Sequence, residues 1–345
     1  MGSVFKNLHI EKDMTNTTTL LHESIPLTGS IVSGTYADNN IKDYAHGMMQ
    51  SVYDYPYLSS SANHVFDITC AYHSDSALSK SSGVDATQEK KINLYNSMAQ
   101  VLAGHDHTGS IHKFDQDGDH LAGGTKLNEV YFMCFSRLLS KDEIKKQSFE
   151  LKVLTGSTPS APSDVKTISD YGAGTSYKVN SPAGEYGILY SGSAATAGTG
   201  VGLIYYQAGI AVLTASVFDG EFGEPTATYD TASVNAVLSG TTIQNFADGL
   251  RNRIQNVQFN NTTELNSTIY YCRAHHNEFN YSTNPTYLTE SQIRVKKEAG
   301  NPPVSYFTTV GLYGADNALL AVAKLSEPIK KTEDNEVTLR VRLDY

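Results

Sequence analysis

Ser305-Tyr-Phe-Thr-Thr-Val-Gly-Leu-Tyr313, Ala318-Leu-Leu-Ala-Val-Ala-Lys-Leu325 and Glu336-Val-Thr-Leu-Arg-Val-Arg-Leu343 follow one another toward the end of the chain. Each run is short and either apolar or alternating. Gly314-Ala-Asp-Asn317 separates the first two, and Ser326-Glu-Pro328 with a charged tract separates the last two. Turn-forming residues between β-favouring runs predict successive antiparallel strands, here a β-meander over 304–345. In the last run Val337, Leu339, Val341 and Leu343 alternate with Thr338, Arg340, Arg342 and Asp344. Successive side chains of a strand point to opposite faces, so one face packs while the other meets water or a partner.

Working back from the meander, Asn301-Pro-Pro303 introduces it, and Ser291 to Lys297 and Thr263 to Ala274 read as strands. Ile243, Phe246, Ala247, Leu250 and Ile254 recur at helical spacing and predict a helix from Thr242 to Val257. Gly249 weakens it by about 1 kcal/mol relative to Ala. Three strand-like runs precede it: Tyr186 to Tyr190, Val201 to Tyr206 and Ile210 to Phe218, with Gln207-Ala-Gly209 as the tight turn between the last two. Thr155 to Pro182 is dominated by Gly, Ser, Thr, Pro and Asp, which predicts a long loop or an interdomain excursion. Ser148 to Leu154 alternates as a strand, and Arg137 to Lys146 is a charged turn. Lys126 to Ser136 holds a nearly continuous β-favouring run, as expected of a strand buried on both faces.

In the first part of the chain, Ile92, Tyr95, Met98, Ala99 and Leu102 fall at helical spacing within Asp85 to Leu102. Asp85 with Gln88 three residues on suits a helix start, and Gly104 ends the helix. Val65 to Ala71 reads as a strand. Tyr36, Tyr44, Tyr53, Tyr55 and Tyr57 surround Met48-Met49, a mixture that suits a core or an interface. Residues 1–35 are rich in Thr, Asn and Ser, with short apolar runs at Leu20-Leu21 and Ile31-Val32. With too little apolar surface to fold alone, this segment is expected as an extended arm laid on a neighbour or as the first edge of a sheet. The sum is a mainly β, α+β chain with antiparallel, sandwich-like sheets, two sizeable helices and long Gly/Ser/Thr-rich loops. The expected segments are an arm over 1–35, an α+β domain over 36–154, a loop-rich insertion over 155–200 and a β-rich domain over 201–345.

At 345 residues with 40% hydrophobic content, the chain can bury a real core as one large or two ordinary domains. The formal net charge is -10 and the pI near 5.5. The 26 Lys and Arg residues form no cluster beyond pairs such as Lys90-Lys91 and Lys330-Lys331, which argues against nucleic-acid binding. No run approaches the about 18 apolar residues of a membrane helix. Met1-Gly-Ser-Val-Phe-Lys-Asn7 lacks the apolar core of a signal peptide, and Lys6 breaks the myristoylation pattern. The expectation is a protein made and used without crossing a membrane. Cys70, Cys134 and Cys272 are far apart with no CxxC spacing and read as buried reduced thiols.

Chemistry concentrates in His105-Asp-His107, His112, Asp115-Gln-Asp-Gly-Asp119 and His120. Asp115, Asp117 and Asp119 match positions 1, 3 and 5 of a calcium loop, where alternate carboxylates on a tight turn converge on a hard cation. His120 stands where the sharp-turn glycine belongs, and Lys126 stands in the place of the bidentate glutamate, so an EF-hand is excluded. A looser calcium site is the functional reading of this turn, and a solvated acidic turn is the plain one. No other cofactor is expected. His105 and His107 project to the same side if their stretch is extended, which suits a shared metal, against the alternative of hydrogen-bonded loop histidines. His275-His276 has no carboxylate or cysteine at ligand spacing besides Glu278. Asp142-Glu143 are adjacent carboxylates in a charged turn, where a solvated surface outweighs glycan cleavage. GxSxG, GxxxxGK[ST] and HExxH are absent, and Gly200-Val-Gly202 lacks a third glycine, so no catalytic residue is assigned.

The terminal meander resembles a module of tail-fibre and baseplate-attachment proteins of tailed bacteriophages. There, a strand ending in (I/V)GLY is followed by a LLAVAKL-like strand and a proline. The matching residues are Val310, Gly311, Leu312 and Tyr313, then Leu319 to Leu325, then Pro328. Lys91 to Leu102, Phe114 to Asp119 with Gly124-Thr-Lys126, Arg137 to Lys146, and Tyr271 to Ala274 with Asn277 to Tyr281 look like virion proteins of contractile-tailed phages that infect cyanobacteria. The resemblance implies a non-enzymatic structural protein of the virion, a tail or baseplate component mediating subunit assembly or tail-fibre attachment. It implies that the partners are other tail and baseplate proteins and copies of the chain itself, with no nucleic acid and no membrane. The location implied is the virion tail, assembled in the host cytoplasm, with Val310, Leu312, Tyr313, Leu320, Val322 and Leu325 in the contacts. The polar arm, the tyrosines and the long insertions between strands agree with work done by binding. The alternatives are a neck, collar or capsid-decorating protein of the same particle, and a metal-dependent tail protein that binds or cleaves host-surface glycans through the acidic turn.

Overall fold

The computed structural model describes residues 5–26, 40–80, 86–121, 123–155, 164–192, 195, 199–218, 243–280, 288–289, 292–293 and 304–345. Its strands are β1 (Met14–Pro26), β2 (Ile41–Asp43), β3 (Gln50–Tyr53), β4 (His64–Tyr72), β5 (Glu129–Phe135), β6 (Glu143–Ile144), β7 (Glu150–Thr155), β8 (Asp164–Ser169) and β9 (Tyr186–Ser191). They continue as β10 (Gly200–Tyr205), β11 (Ile210–Thr214), β12 (Ile254–Ala274), β13 (Leu288–Thr289), β14 (Gln292–Ile293), β15 (Ser305–Tyr313), β16 (Leu319–Lys331) and β17 (Val337–Asp344). The protein is mainly β and antiparallel, as the sequence predicts. One sheet of 13 strands runs β1-β12-β7-β8-β9-β10-β11-β5-β4-β3-β2, with β6 and β17 also pairing with β12, and β13-β14 and β15-β16 form separate two-stranded ladders. The chain divides into two compact units, residues 21–263 and residues 1–20 with 264–345, a division that differs from the segments expected from composition.

The larger unit is organised by β5, the run expected to be buried on both faces. Its neighbours are β4, from Phe66↔Phe135 to Tyr72↔Glu129, and β11, from Val130↔Thr214 to Cys134↔Ile210. Val130 and Phe132 point to one face, packed with Leu203, Tyr205 and Val212 and with Tyr95, Ala99 and Leu102 of the helix Ala86–Leu102. Tyr131 and Met133 point to the other, among Phe66, Ile68 and Leu213 and with Ile243, Ala247 and Leu250 of the helix Ile243–Arg253. Fully burying one such side chain stabilises by about 1.5–3 kcal/mol, so each helix is held by its apolar stripe more than by its propensity. The sheet turns back on itself, since β12 and β5 stand six places apart in the strand order and yet the Phe135 ring of β5 meets Phe149 at 5.8 Å and Phe259 of β12 at 5.2 Å. Gly104 closes the first helix at φ +82°, with its N–H and that of Ala103 both donating to the Ala99 carbonyl.

Two expectations change. The stretch Thr155 to Pro182 contains β8, which pairs with β7 from Glu150↔Ser169 to Thr155↔Asp164 inside the sheet. The helix expected to reach Val257 ends at Arg253, because Ile254 already pairs with Val153 of β7. Asp85, the expected cap, lies outside the described residues, as do Asn301 to Pro303, residues 27–35 and most of Ser291 to Lys297.

In the smaller unit the meander is corrected. β15 and β16 form a hairpin of their own, while β17 pairs with β12 from Ser267↔Asp344 to Ala274↔Val337. The break has a local cause. The Asn335 side chain accepts from Thr332 N at 2.7 Å and donates to Lys330 O at 3.1 Å, tying off the end of β16. The free edge of β12 then receives β17, and Tyr345 exchanges backbone hydrogen bonds with Asn266. Of the two arm readings, the sheet edge holds for Met14 onward: β1 lies beside β12, with Asn16 Oδ1 accepting from Thr268 at 2.8 Å and Thr18 donating to Asn266 at 2.9 Å.

Candidate cation site at the acidic turn

The acidic turn is carried on two short legs. Gln116 N donates to Thr125 O at 3.0 Å and Leu127 N to Phe114 O at 2.9 Å, with Asp115 opposite Lys126. Tyr95 clamps both legs, because its hydroxyl donates to Leu127 O at 2.9 Å and accepts from Phe114 N at 3.2 Å. Tyr186 OH donates to Gly118 O at 2.7 Å, and Asn180 Nδ2 to Asp119 O at 3.1 Å. Gly118 and Gly124 adopt φ of +65° and +74°, conformations that glycine reaches without strain.

The turn brings Asp115, Asp117 and Asp119 together, with one oxygen of each within 4.8 Å of the others. Asp115 is 0% exposed, whereas Asp117 and Asp119 keep contact with solvent. The Lys126 ammonium donates to Asp115 Oδ2 and to the Leu121 carbonyl, and Asp115 Oδ1 accepts no hydrogen bond from the described residues. A Cβ on Gly124 would lie 3.3 Å from that Oδ1 and 3.5 Å from Asp117 Oδ2, so the missing side chain leaves room at the carboxylates. Burial pushes the Asp115 carboxyl above its ordinary range and Lys126 opposes the shift, whereas the Leu121 N–H holds Asp119 below its own. Burial drives His120 down to about 4, so it is a neutral ring at physiological pH.

The other candidates are not assembled in this way. His105 and His107 do not share an extended stretch: Asp106 Oδ1 accepts from Thr108 N at 2.8 Å and Ser110 N at 2.9 Å, so the chain turns between them, and both imidazoles are exposed. The Thr108 hydroxyl and the Ser110 and Thr108 N–H groups hold Asp106 near 2. Among the described residues, Asp115, Asp117 and Asp119 form the one group of three ligating side chains that converges. His275 and His276 meet Glu336, which lies far along the chain, at 3.5 and 3.8 Å. Glu143 lies 3.8 Å from Lys146, which also pairs with Glu185 at 2.5 Å and sits over the Tyr177 ring. That arrangement is an ion-pair group in which the Lys146 ammonium stands between the Glu143 and Glu185 carboxylates.

The residues expected in contacts fall on the β15-β16 hairpin. Tyr313, Leu320 and Val322 are 49%, 70% and 51% exposed, Val310 and Leu325 are half-buried, and Leu312 is buried. Tyr306 and Leu319 add exposed apolar surface. Spacing within the turn located its carboxylates, but Tyr95, Asn180 and Tyr186, which fix its shape, carry no local signal. Tyr95 reads only as one apolar position of a helical stripe. The comparisons with protein-family models, curated proteins and solved structures find no match to this chain.

Proposed function

We propose that the chain is a structural component of a tailed-phage virion, of the tail or baseplate kind, and that its work is assembly with other protein subunits. The observation that carries the reading is the β15-β16 hairpin, a two-stranded ladder presenting Tyr306, Tyr313, Leu319, Leu320 and Val322 to solvent. A two-stranded sheet is marginal in water without something packed against it, and clustered exposed apolar side chains mark contacts with other proteins. The resemblance to tail-fibre-attachment modules falls on the same residues. Among the described residues no third strand joins this ladder, so a neighbour can add one to its edge through main-chain hydrogen bonds. The partners are other tail and baseplate proteins and copies of the chain.

The test is reconstitution with isolated tail and baseplate proteins, using the wild type and a Leu320→Lys, Val322→Lys double variant. The wild type should be incorporated, and the variant should be excluded while its melting temperature stays within a few degrees, because exposed positions contribute little to folding. A wild-type chain that stays monomeric and ignores every virion component sinks the reading. A labelled chain found at the neck or head would keep the assembly role and move its place.

A further inference from the structure

In a twelve-residue calcium loop, position 1 gives a carboxylate, position 7 a backbone carbonyl and position 12 a bidentate glutamate. Counted from Asp115, position 7 is Leu121 and position 12 is Lys126. The Lys126 ammonium reaches from position 12 to the ligands of both positions 1 and 7, donating to Asp115 Oδ2 and to Leu121 O. We propose that Lys126 is the built-in cation of this turn. Its ammonium bridges the groups that a divalent ion would bridge, so the turn closes without metal, and replacing the lysine uncovers a divalent-cation site.

The distribution of burial fits this assignment. A carboxylate withdrawn from water needs a compensating charge, and Asp115, the fully buried member of the three, is the one that Lys126 holds. Asp117 and Asp119 keep contact with solvent, and Asp119 is further satisfied by the Leu121 N–H at 2.8 Å. An ammonium is a compact point charge with three donors and no geometric demand, so it can neutralise the turn without the six to eight oxygens that calcium asks for. The shape of the turn is meanwhile fixed from outside by Tyr95, Tyr186 and Asn180. An ion entering beside Lys126 would meet a like charge at the bridging position, so the wild type should not take one up.

The full-length chain is melted in chelator and in millimolar calcium, and titrated with terbium, whose emission reports an ion near tyrosine. The wild type should melt at the same temperature in both conditions and give no terbium signal. Lys126→Glu should melt a few degrees lower in chelator, recover with calcium and acquire terbium emission, and adding Asp117→Asn should remove that emission. If Lys126→Glu does not fold in either condition, Lys126→Gln decides, since it removes the ammonium without adding a charge. It should fold, melt lower than the wild type in chelator, and rise with calcium. A wild-type melting temperature that climbs with calcium, or a Lys126→Gln variant indifferent to it, overturns the proposal.

Discussion

Asp170 shows how much one buried residue can set. Its carboxylate accepts from Gln147 N at 2.6 Å, Phe149 N at 3.1 Å and Tyr206 OH at 2.9 Å, fixing the chain where it enters β7. Burial raises its pKa to about 6 against the opposing pull of those three donors. A carboxyl whose folded pKa exceeds its unfolded value stabilises the fold while protonated, and that contribution disappears as pH rises through the folded value. The wild type should therefore lose about 2–3 kcal/mol relative to Asp170→Asn between pH 4 and pH 7. Urea unfolding of both proteins across that range checks it, and a difference independent of pH would show that the carboxyl is not shifted. Gly202 is constrained by space instead. A Cβ there would stand 2.2 Å from Val212 O on the paired strand β11, which is backbone and cannot rotate away. Gly202→Ala should cost about 2 kcal/mol or more in the same measurement, and a neutral outcome would mean that β10 and β11 are not this close.

At the scale of elements, the helix Ala86–Leu102 both covers the sheet and shapes the acidic turn, and Tyr95 joins the two tasks. Tyr95→Phe keeps the ring contact with Phe114 at 5.4 Å but leaves Phe114 N and Leu127 O without the hydroxyl. The expected loss is about 2–3 kcal/mol, and thermal melts that match the wild type would remove the clamp from the account. The helix itself was legible because its stripe repeats at helical spacing and a glycine closes it. β5 was legible because burial on both faces leaves a continuous apolar run. Pairing was not legible, since it depends on partners distant in sequence. β17 alternates clearly, yet nothing in Glu336 to Leu343 says that it would leave β16 for β12. β8 stayed hidden in a loop-like composition because it buries little apart from Ile168. In the acidic turn the carboxylates were legible from their spacing. The contact of Lys126 with Leu121 O was not, because it requires a folded turn.

At the scale of the molecule, the buried apolar area is unevenly distributed, and stability should follow it. Val130, Tyr131, Phe132 and Met133 of β5 are fully buried between paired strands, whereas β15 and β16 form a ladder of two with large apolar residues in solvent. Local opening costs least where few apolar contacts are lost and backbone hydrogen bonds lie near water. Amide hydrogen exchange of the isolated chain should leave β5 protected up to the global unfolding free energy, while amides of 305–331 exchange at least about a hundredfold faster. In an assembled particle those same amides should slow sharply, because a neighbour that covers Leu320 and Val322 or extends the ladder removes the cheap opening. Equal protection of β5 and the hairpin in the isolated chain would mean that the hairpin is already covered within one molecule. Its exposed apolar face would then no longer support an assembly role.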